Sequence, residues 1–159
     1  MPQLVKGGKY IFGWTILNKD LSIRIPDETF YEYKFVNTDN IILMSGSKTS
    51  GGFSIITPIS LIHSRLNQNI LESMQYKIDS NSFASNKLDI IKFRHRLFCW
   101  TSIDEKKYFK ISNGLIDLLD LKIGSKLLVG RGSGLGPAFI AKGTIYNEAL
   151  NHKDILEFC

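Results

Sequence analysis

Three basic residues of this sequence have the spacing that contact with a polyanion requires. Lys92, Arg94 and Arg96 alternate with neutral residues, and alternate side chains of an extended strand project from the same face. Cations in such a row can contact successive phosphate groups of a nucleic acid. We therefore predict that the three residues form one basic face of a strand.

A second basic set lies at two turns and on the short strands that follow them. Polar turn chemistry surrounds Lys19, Lys106 and Lys107, and Arg24 and Lys110 occupy equivalent places 86 residues apart. If the two halves are related by a twofold axis, these cations form two clusters at a fixed separation, as palindromic DNA half-sites require. The predicted DNA-contacting residues are Lys19, Arg24, Lys92, Arg94, Arg96, Lys106, Lys107 and Lys110.

Exposed lysine and arginine residues also have a simpler explanation. On strands and turns they keep a protein soluble and block edge-to-edge pairing of sheets. The formal net charge of +5 allows contact with polyanions, but the effect of charge depends on where it lies. DNA contact and a solubilising surface remain alternatives at this point.

The glycine-rich segment GRGSGLGP at 130–137 has the composition of a phosphate-binding loop. It lacks the ending of a P-loop and the spacing of the dinucleotide fingerprint. A strand is predicted after it, so no helix N-terminus would face an anion. We interpret it as a tight loop between strands in which glycines adopt positive φ. The alternative is a small anion site lined by Arg131, Ser133 and Lys48.

Other reactive residue types do not form a recognisable constellation. The histidines His63, His95 and His152 have no acid or cysteine at ligand spacing, so no metal site is predicted. Asp117 and Asp120 are three residues apart on a predicted short helix, which suits a solvated face better than acid–base chemistry. We predict no catalytic residue, no cofactor and no enzymatic activity.

The two cysteines, Cys99 and Cys159, provide no disulfide framework. With no signal peptide and no apolar run of membrane-spanning length, we expect a cytoplasmic protein without a membrane partner.

An internal repeat with an offset of 86 residues organises the chain. Segment 95–141 matches 9–55, with FCWT at 98–101 on FGWT at 12–15 and Phe139 on Phe53. Repetition in one frame indicates a duplicated structural unit, and a twofold-related pair is its natural arrangement. Trp14 and Trp100, which match in this frame, are predicted to pack in the core about the axis; a ligand-stacking pair is the alternative.

Each repeat is predicted as β-β-α-β-β with a trailing helix. The first repeat spans 1–79, a polar linker 80–87, and the second repeat 88–159. Because each half is marginal in size for a core of its own, we expect one shared core. Pro26 is predicted at the first position of a short helix, and apolar spacing predicts amphipathic helices over Pro58–Gln75 and Thr144–Phe158.

Two motifs resemble the SpoVT/AbrB superfamily. SIRIPDE at 22–28 is similar to its strand-then-helix signature, in which Ile-Pro leads into an acidic helix start. LKIGSKLLV at 121–129 resembles its stretch of leucine, lysine, apolar residue, glycine, acid and apolar strand. The resemblance implies a swapped-hairpin barrel, normally built by two chains that exchange hairpins. It also implies DNA binding, as in the transcriptional regulators and antitoxins of the family.

These observations predict a mainly β, α+β protein, an internally duplicated and pseudo-twofold AbrB-like swapped-hairpin barrel with added helices. The expected function is DNA binding in transcription regulation, with a homodimer as a further expectation. The alternative is a protein-interaction or small-ligand-sensing module on the same fold, with the amphipathic helices as the partner surface. A continuous basic face would favour DNA, and a mixed-sign surface with an exposed apolar stripe would favour a protein partner.

Overall fold

The computed structural model describes residues 10–37, 40–57, 90–93, 96–132 and 136–159. Its strands are β1 (Ile11–Ile16), β2 (Ser22–Arg24), β3 (Asn40–Ser45), β4 (Phe53–Ile56), β5 (Ile90–Phe93), β6 (Arg96–Ser102), β7 (Tyr108–Lys110), β8 (Lys126–Gly130), β9 (Ala138–Ile140) and β10 (Glu157–Phe158). Its helices are α1 (Asp27–Glu32), α2 (Asn113–Leu118) and α3 (Thr144–Ala149), with a 3₁₀ turn at Phe35–Asn37. The protein is therefore α+β and mostly strand, as predicted. Within these ranges, no helix has the length and hydropathy that a membrane crossing needs.

Helices α1 and α2 begin at equivalent places by different means. Ser112 caps α2, because its Oγ accepts a hydrogen bond of 3.1 Å from the Leu115 amide. Pro26 occupies the cap position of α1 with φ −56° and ψ 145°. The prediction that Pro26 is the first helical residue is therefore wrong by one position: its φ suits a helix, but its extended ψ does not. Lys34 and Asp120, both at positive φ, follow the two helices.

Eight strands form a mixed sheet in the order β10-β1-β8-β9-β4-β3-β6-β5, while β2 and β7 form a separate two-stranded ribbon. The six central strands have the order β1-β8-β9-β4-β3-β6. If each strand is replaced by its counterpart 86 residues away, this order becomes β6-β3-β4-β9-β8-β1, which is the same order reversed. The first strand of each half pairs with the third strand of the other, β1 with β8 and β6 with β3. The strand pairing is therefore symmetric under exchange of the two halves.

Two residue pairs mark the centre of this symmetry. Phe53 lies opposite Phe139 where β4 meets β9, with ring centroids 4.9 Å apart and nearly parallel planes. Ile23 lies opposite Phe109 at the middle of the ribbon. The pairings form a sheet and a ribbon but show no closed barrel within the described residues. The swapped-hairpin barrel stays a prediction.

One buried cluster fills the space between the sheet and the ribbon and contains residues of both halves. Its members include Phe12, Ile23, Phe53, Phe109, Leu127 and Phe139. A second cluster lies on the opposite face of the sheet, because Leu128 stands between Leu127 and Val129 of the first cluster, and Trp14 lies opposite Leu128. There α3 and the buried Ile155 cover the sheet.

The two tryptophans are buried, but they do not meet at the axis. Trp14 contacts Tyr146 edge-to-face, with ring centroids 5.1 Å apart. Trp100, on β6, lies opposite Ile42 of β3. Four strands separate β1 from β6 in the sheet. The predicted packing of the pair about the axis is therefore wrong, and the phenylalanines of β4 and β9 take that place.

The predicted helix Thr144–Phe158 is wrong beyond Ala149. After a turn, the chain returns as β10 and pairs in parallel with β1, with Trp14 opposite Glu157. Gly13 makes this possible, because a Cβ there would lie 2.8 Å from the Leu156 carbonyl oxygen and 2.8 Å from the Phe158 ring. The predicted helix Pro58–Gln75 and the linker 80–87 lie outside the described residues.

Candidate nucleic-acid interface

The β2–β7 ribbon has one face in the core and one face outside it. Ile23 and Phe109 are buried in the shared core. Because successive strand side chains point to opposite faces, their neighbours form the outer face. On that face Lys110 lies opposite Ser22, which is itself buried, and Arg24 lies opposite Tyr108.

The two symmetry-related cations of this face lie close together. Arg24 opposes Tyr108, so Lys110 is its diagonal neighbour across the ribbon, at roughly 7–8 Å between Cα atoms. Half-sites of a palindromic operator are one helical turn apart, about 34 Å. Arg24 and Lys110 therefore do not occupy separate half-sites, as the sequence had suggested, and would reach a single groove together.

Acidic side chains build the two turns that lead into the ribbon strands, one between β1 and β2 and one between β6 and β7. Asp20 Oδ1 accepts hydrogen bonds from the Ser22 hydroxyl and amide, at 2.6 and 3.0 Å, and the hydroxyl contributes most to lowering the pKa of Asp20. Asp104 Oδ1 accepts from the amides of Lys106 and Tyr108, at 2.8 and 2.9 Å. The turns are confirmed, but each exposed lysine there has a structural carboxylate beside it.

Asp27 binds two of the predicted DNA-contacting cations. Its Oδ1 lies 2.8 Å from Arg24 Nη2 and 2.8 Å from Lys107 Nζ. The hydrogen bond with Lys107 is the main cause of the lowered pKa of Asp27 and of the raised pKa of Lys107. Lys107 Nζ also lies 5.0 Å from the Tyr31 ring centroid. Both cations are therefore engaged within the protein.

The segment around β10, residues 155–159, covers the same end of the ribbon, and we call it the strap. The Arg24 guanidinium lies 5.4 Å from the Phe158 ring centroid. The Tyr108 hydroxyl donates a short hydrogen bond to the Cys159 carbonyl oxygen, and Lys126 forms an ion pair with Glu157. Half of the outer face of the ribbon is thus occupied.

The opposite end of the ribbon is different. Asn113 stands at the position equivalent to Asp27, and Lys110 is exposed with no ion pair among the described residues. This Asn113 end, which includes the turn 18–21, has two cations, Lys19 and Lys110, and one carboxylate, Asp20. The Asp27 end carries more carboxylates than cations, namely Asp27, Glu28, Asp104 and Glu105 against Arg24, Lys106 and Lys107. The ribbon therefore has a basic end and a mixed-sign end.

The predicted basic row at 92–96 does not lie on one strand. Phe93 pairs with Arg96 across β5 and β6, so the chain reverses between them and the prediction is wrong. Arg94 lies outside the described residues. Arg96 is exposed, and its Nη1 lies 3.4 Å from the Met44 sulfur. It begins β6, roughly 20 Å along the strand from the end that leads to the ribbon, so the two predicted basic sets are not brought together.

The glycine-rich segment serves close packing at the centre of the sheet. A Cβ on Gly136 would lie 1.9 Å from the Ile55 carbonyl oxygen, and one on Gly52 would lie 1.9 Å from that of Phe139. Arg131 forms an ion pair with Glu32, which is the main cause of its raised pKa. Lys48 is exposed, and Ser133 lies outside the described residues. This geometry favours the structural interpretation of the loop over an anion site.

Sequence reasoning missed the roles of Asp27 and the strap. Asp27 was assigned to the helix start alone, although its spacing of three from Arg24 was a usable signal for an ion pair. No local signal joined it to Lys107, which is 80 residues away. Among the described residues, no group of three or more His, Cys, Asp or Glu could hold a metal ion. Comparison with protein-family models and with curated proteins gives no match to this chain.

Proposed function

We propose that the protein binds duplex DNA through the outer face of the β2–β7 ribbon and acts as a cytoplasmic transcription regulator. The observation that carries the proposal is the ribbon, which presents Arg24 and Lys110 on one outer face across the centre of the symmetry. The major groove of B-DNA admits a two-stranded β-ribbon, and several DNA-binding proteins read it in this way.

The finer description of the fold belongs to the same proposal. Exchange of first strands between the halves, and pairing of β4 with β9 and β2 with β7 across the centre, is the pattern that a swapped-hairpin AbrB-like barrel in a single chain would have. An internal duplication explains why Leu21 and Lys107, 86 residues apart, both adopt positive φ. These features support the family resemblance.

The available charge sets the expected strength of binding. Lys19, Lys106 and Lys110 are exposed and have no ion pair among the described residues. Three phosphate contacts give a slope of log K against log salt of about −2.7. Binding should therefore be modest and clearly dependent on salt.

A titration of labelled duplex DNA at 50 and 200 mM salt tests the proposal. Lys110→Gln should weaken binding and make the salt slope less steep by about 0.9. Lys153→Gln is the matched control, because it removes the same charge between α3 and Ile155, on the face of the sheet opposite the ribbon. Absence of binding at both salts, or equal effects of the two substitutions, would refute ribbon-mediated DNA binding.

A second candidate, a protein-interaction module, is favoured by four exposed apolar side chains. The segments 27–37 and 113–123, equivalent in the two halves, expose Tyr31, Val36, Leu118 and Ile123, each at 50% or more. The mixed-sign end of the ribbon also suits a protein partner. A partner that is lost on Leu118→Asp, in a variant with unchanged DNA affinity, would favour this function.

A further inference from the structure

The strap breaks the symmetry of the sheet at the edge of β1. In the second half, the equivalent edge of β6 pairs with β5 in an antiparallel direction. In the first half, β10 pairs with β1 in a parallel direction, over two residue pairs only. The Trp14 amide donates to the Leu156 carbonyl oxygen at 2.8 Å. Among the described residues, the strap is thus a short added strand with no symmetric counterpart.

The strap is firmly anchored at one end and weakly held beyond it. Ile155 is buried in the cluster under α3. Beyond it, the Leu156 side chain is 60% exposed, and the ion pair between Lys126 and Glu157 joins two half-exposed side chains. Exposed ion pairs contribute little to stability. Release after Ile155 would break the short pairing with β1 and the contacts of Glu157, Phe158 and Cys159, but it would leave Ile155 in its buried cluster.

We propose that the strap is an autoinhibitory element that must leave the edge of β1 before Arg24 can contact a DNA phosphate. The inference rests on the proposed function and adds regulation to it. In the closed state Phe158 lies over the Arg24 guanidinium, and the hydrogen bond from Tyr108 to Cys159 holds the strap across the outer face of the ribbon. Release would uncover Arg24 beside the already exposed Lys110.

Phe158→Ala in the full chain tests the proposal with two readouts. The first is DNA affinity at 100 mM salt, which should rise by at most about eightfold, because one added phosphate contact changes the salt slope by about −0.9 and Asp27 still competes for Arg24. The second is hydrogen exchange of the Trp14 amide, which should become faster while exchange of the Ile25 amide, bonded to Lys107 in the ribbon, stays unchanged. Leu156→Ala, on the same strap but with an exposed side chain, is the control and should change neither readout.

The outcomes distinguish failure of autoinhibition by the strap from failure of DNA binding. Autoinhibition is supported if Phe158→Ala binds DNA more tightly and exchanges the Trp14 amide faster, and if the further change Arg24→Gln abolishes the gain in affinity. Faster exchange of the Trp14 amide with unchanged DNA affinity, in a protein that binds DNA, refutes autoinhibition by the strap but not the proposed function. Unchanged exchange of this amide in Phe158→Ala refutes the role of Phe158 in holding the strap against β1. Absence of DNA binding in the wild type and the variant overturns both proposals.

Discussion

Replacing Asp27 by asparagine is the most informative perturbation of the ribbon. Asp27 holds Arg24 and Lys107 at 2.8 Å each, whereas the equivalent residue of the second half is already Asn113. Asp27→Asn therefore gives the mixed-sign end the residue that the basic end has. Lys107 is released at once, and Arg24 is released whenever the strap is open.

The structure sets the size of the effect on DNA binding. Three available cations give the wild type a salt slope of about −2.7, and one or two more give the variant about −3.6 to −4.5. Between 50 and 200 mM salt, wild-type affinity should fall about 40-fold and that of Asp27→Asn about 150- to 500-fold. At 50 mM salt the variant should bind more tightly.

The same substitution should change stability little. Asp27 is 53% exposed as a side chain, and exposed ion pairs contribute about 0.2–1 kcal/mol. An acid in the first turn of a helix adds about 0.3–1 kcal/mol. We expect a loss of about 1 kcal/mol, or a few degrees in Tm for a chain of this size, so the folded variant remains available for binding measurements.

Fluorescence anisotropy with a labelled duplex, repeated at four or five salt concentrations, measures the slope. Asp117→Asn is the matched control, because it removes one exposed carboxylate from α2 that has no ion pair among the described residues. If the slopes of Asp27→Asn and Asp117→Asn are equal, the increase reflects net charge alone, and the argument that Asp27 sequesters DNA-binding cations is refuted.

Three further predictions concern the scaffold. Gly136→Ala should destabilise the protein by about 1–3 kcal/mol through overpacking. Gly124→Ala should cost only about 1 kcal/mol of backbone strain, because no atom lies within 4 Å of a Cβ at that position. Equal urea midpoints for the two variants would contradict this prediction. Thr15→Val and Thr101→Val each remove a 2.7 Å hydrogen bond to a ribbon carbonyl and should both cost about 1 kcal/mol, so clearly unequal losses would count against equivalent halves. The pKa of the Asp20 carboxyl is lowered from its ordinary value of 3.8. Its contribution to stability is therefore complete above pH 3.8 and is lost as the pH falls through the lowered pKa. Asp20→Asn should lose stability less steeply with acid than the wild type does.

The sequence predicted what depends on short-range patterns. The offset of 86 residues placed β2 and β7, and α1 and α2, at matching bounds, because the same alternation and helix-start residues recur in one frame. Asn and Asp residues predicted both ribbon turns for the same reason. Buried aromatic residues followed from composition, although which of them meet at the centre depends on the register of β4 and β9.

The errors arose where contacts between distant segments decide the structure. Ile145 and Leu156 have helical spacing, yet Gly13 offers a strand edge 143 residues away that the chain takes instead. The reversal between Phe93 and Arg96 carries no glycine, proline or asparagine to signal a turn. The second partner of Asp27 comes from the other half of the chain, so no local pattern could reveal it.

Duplication within one chain explains why the two ends of the ribbon can differ. In a dimer of identical chains, any substitution appears at both ends. Here Thr15 and Thr101 keep the same contact, because the scaffold needs it twice. Asp27 occurs at one end only, with Asn113 at the other, and within the described part of the chain the strap also covers one end only, since nothing in the core requires their repetition. If the protein binds DNA as proposed, its site should therefore be asymmetric about the centre of the ribbon, with the stronger phosphate contacts beside Lys19 and Lys110.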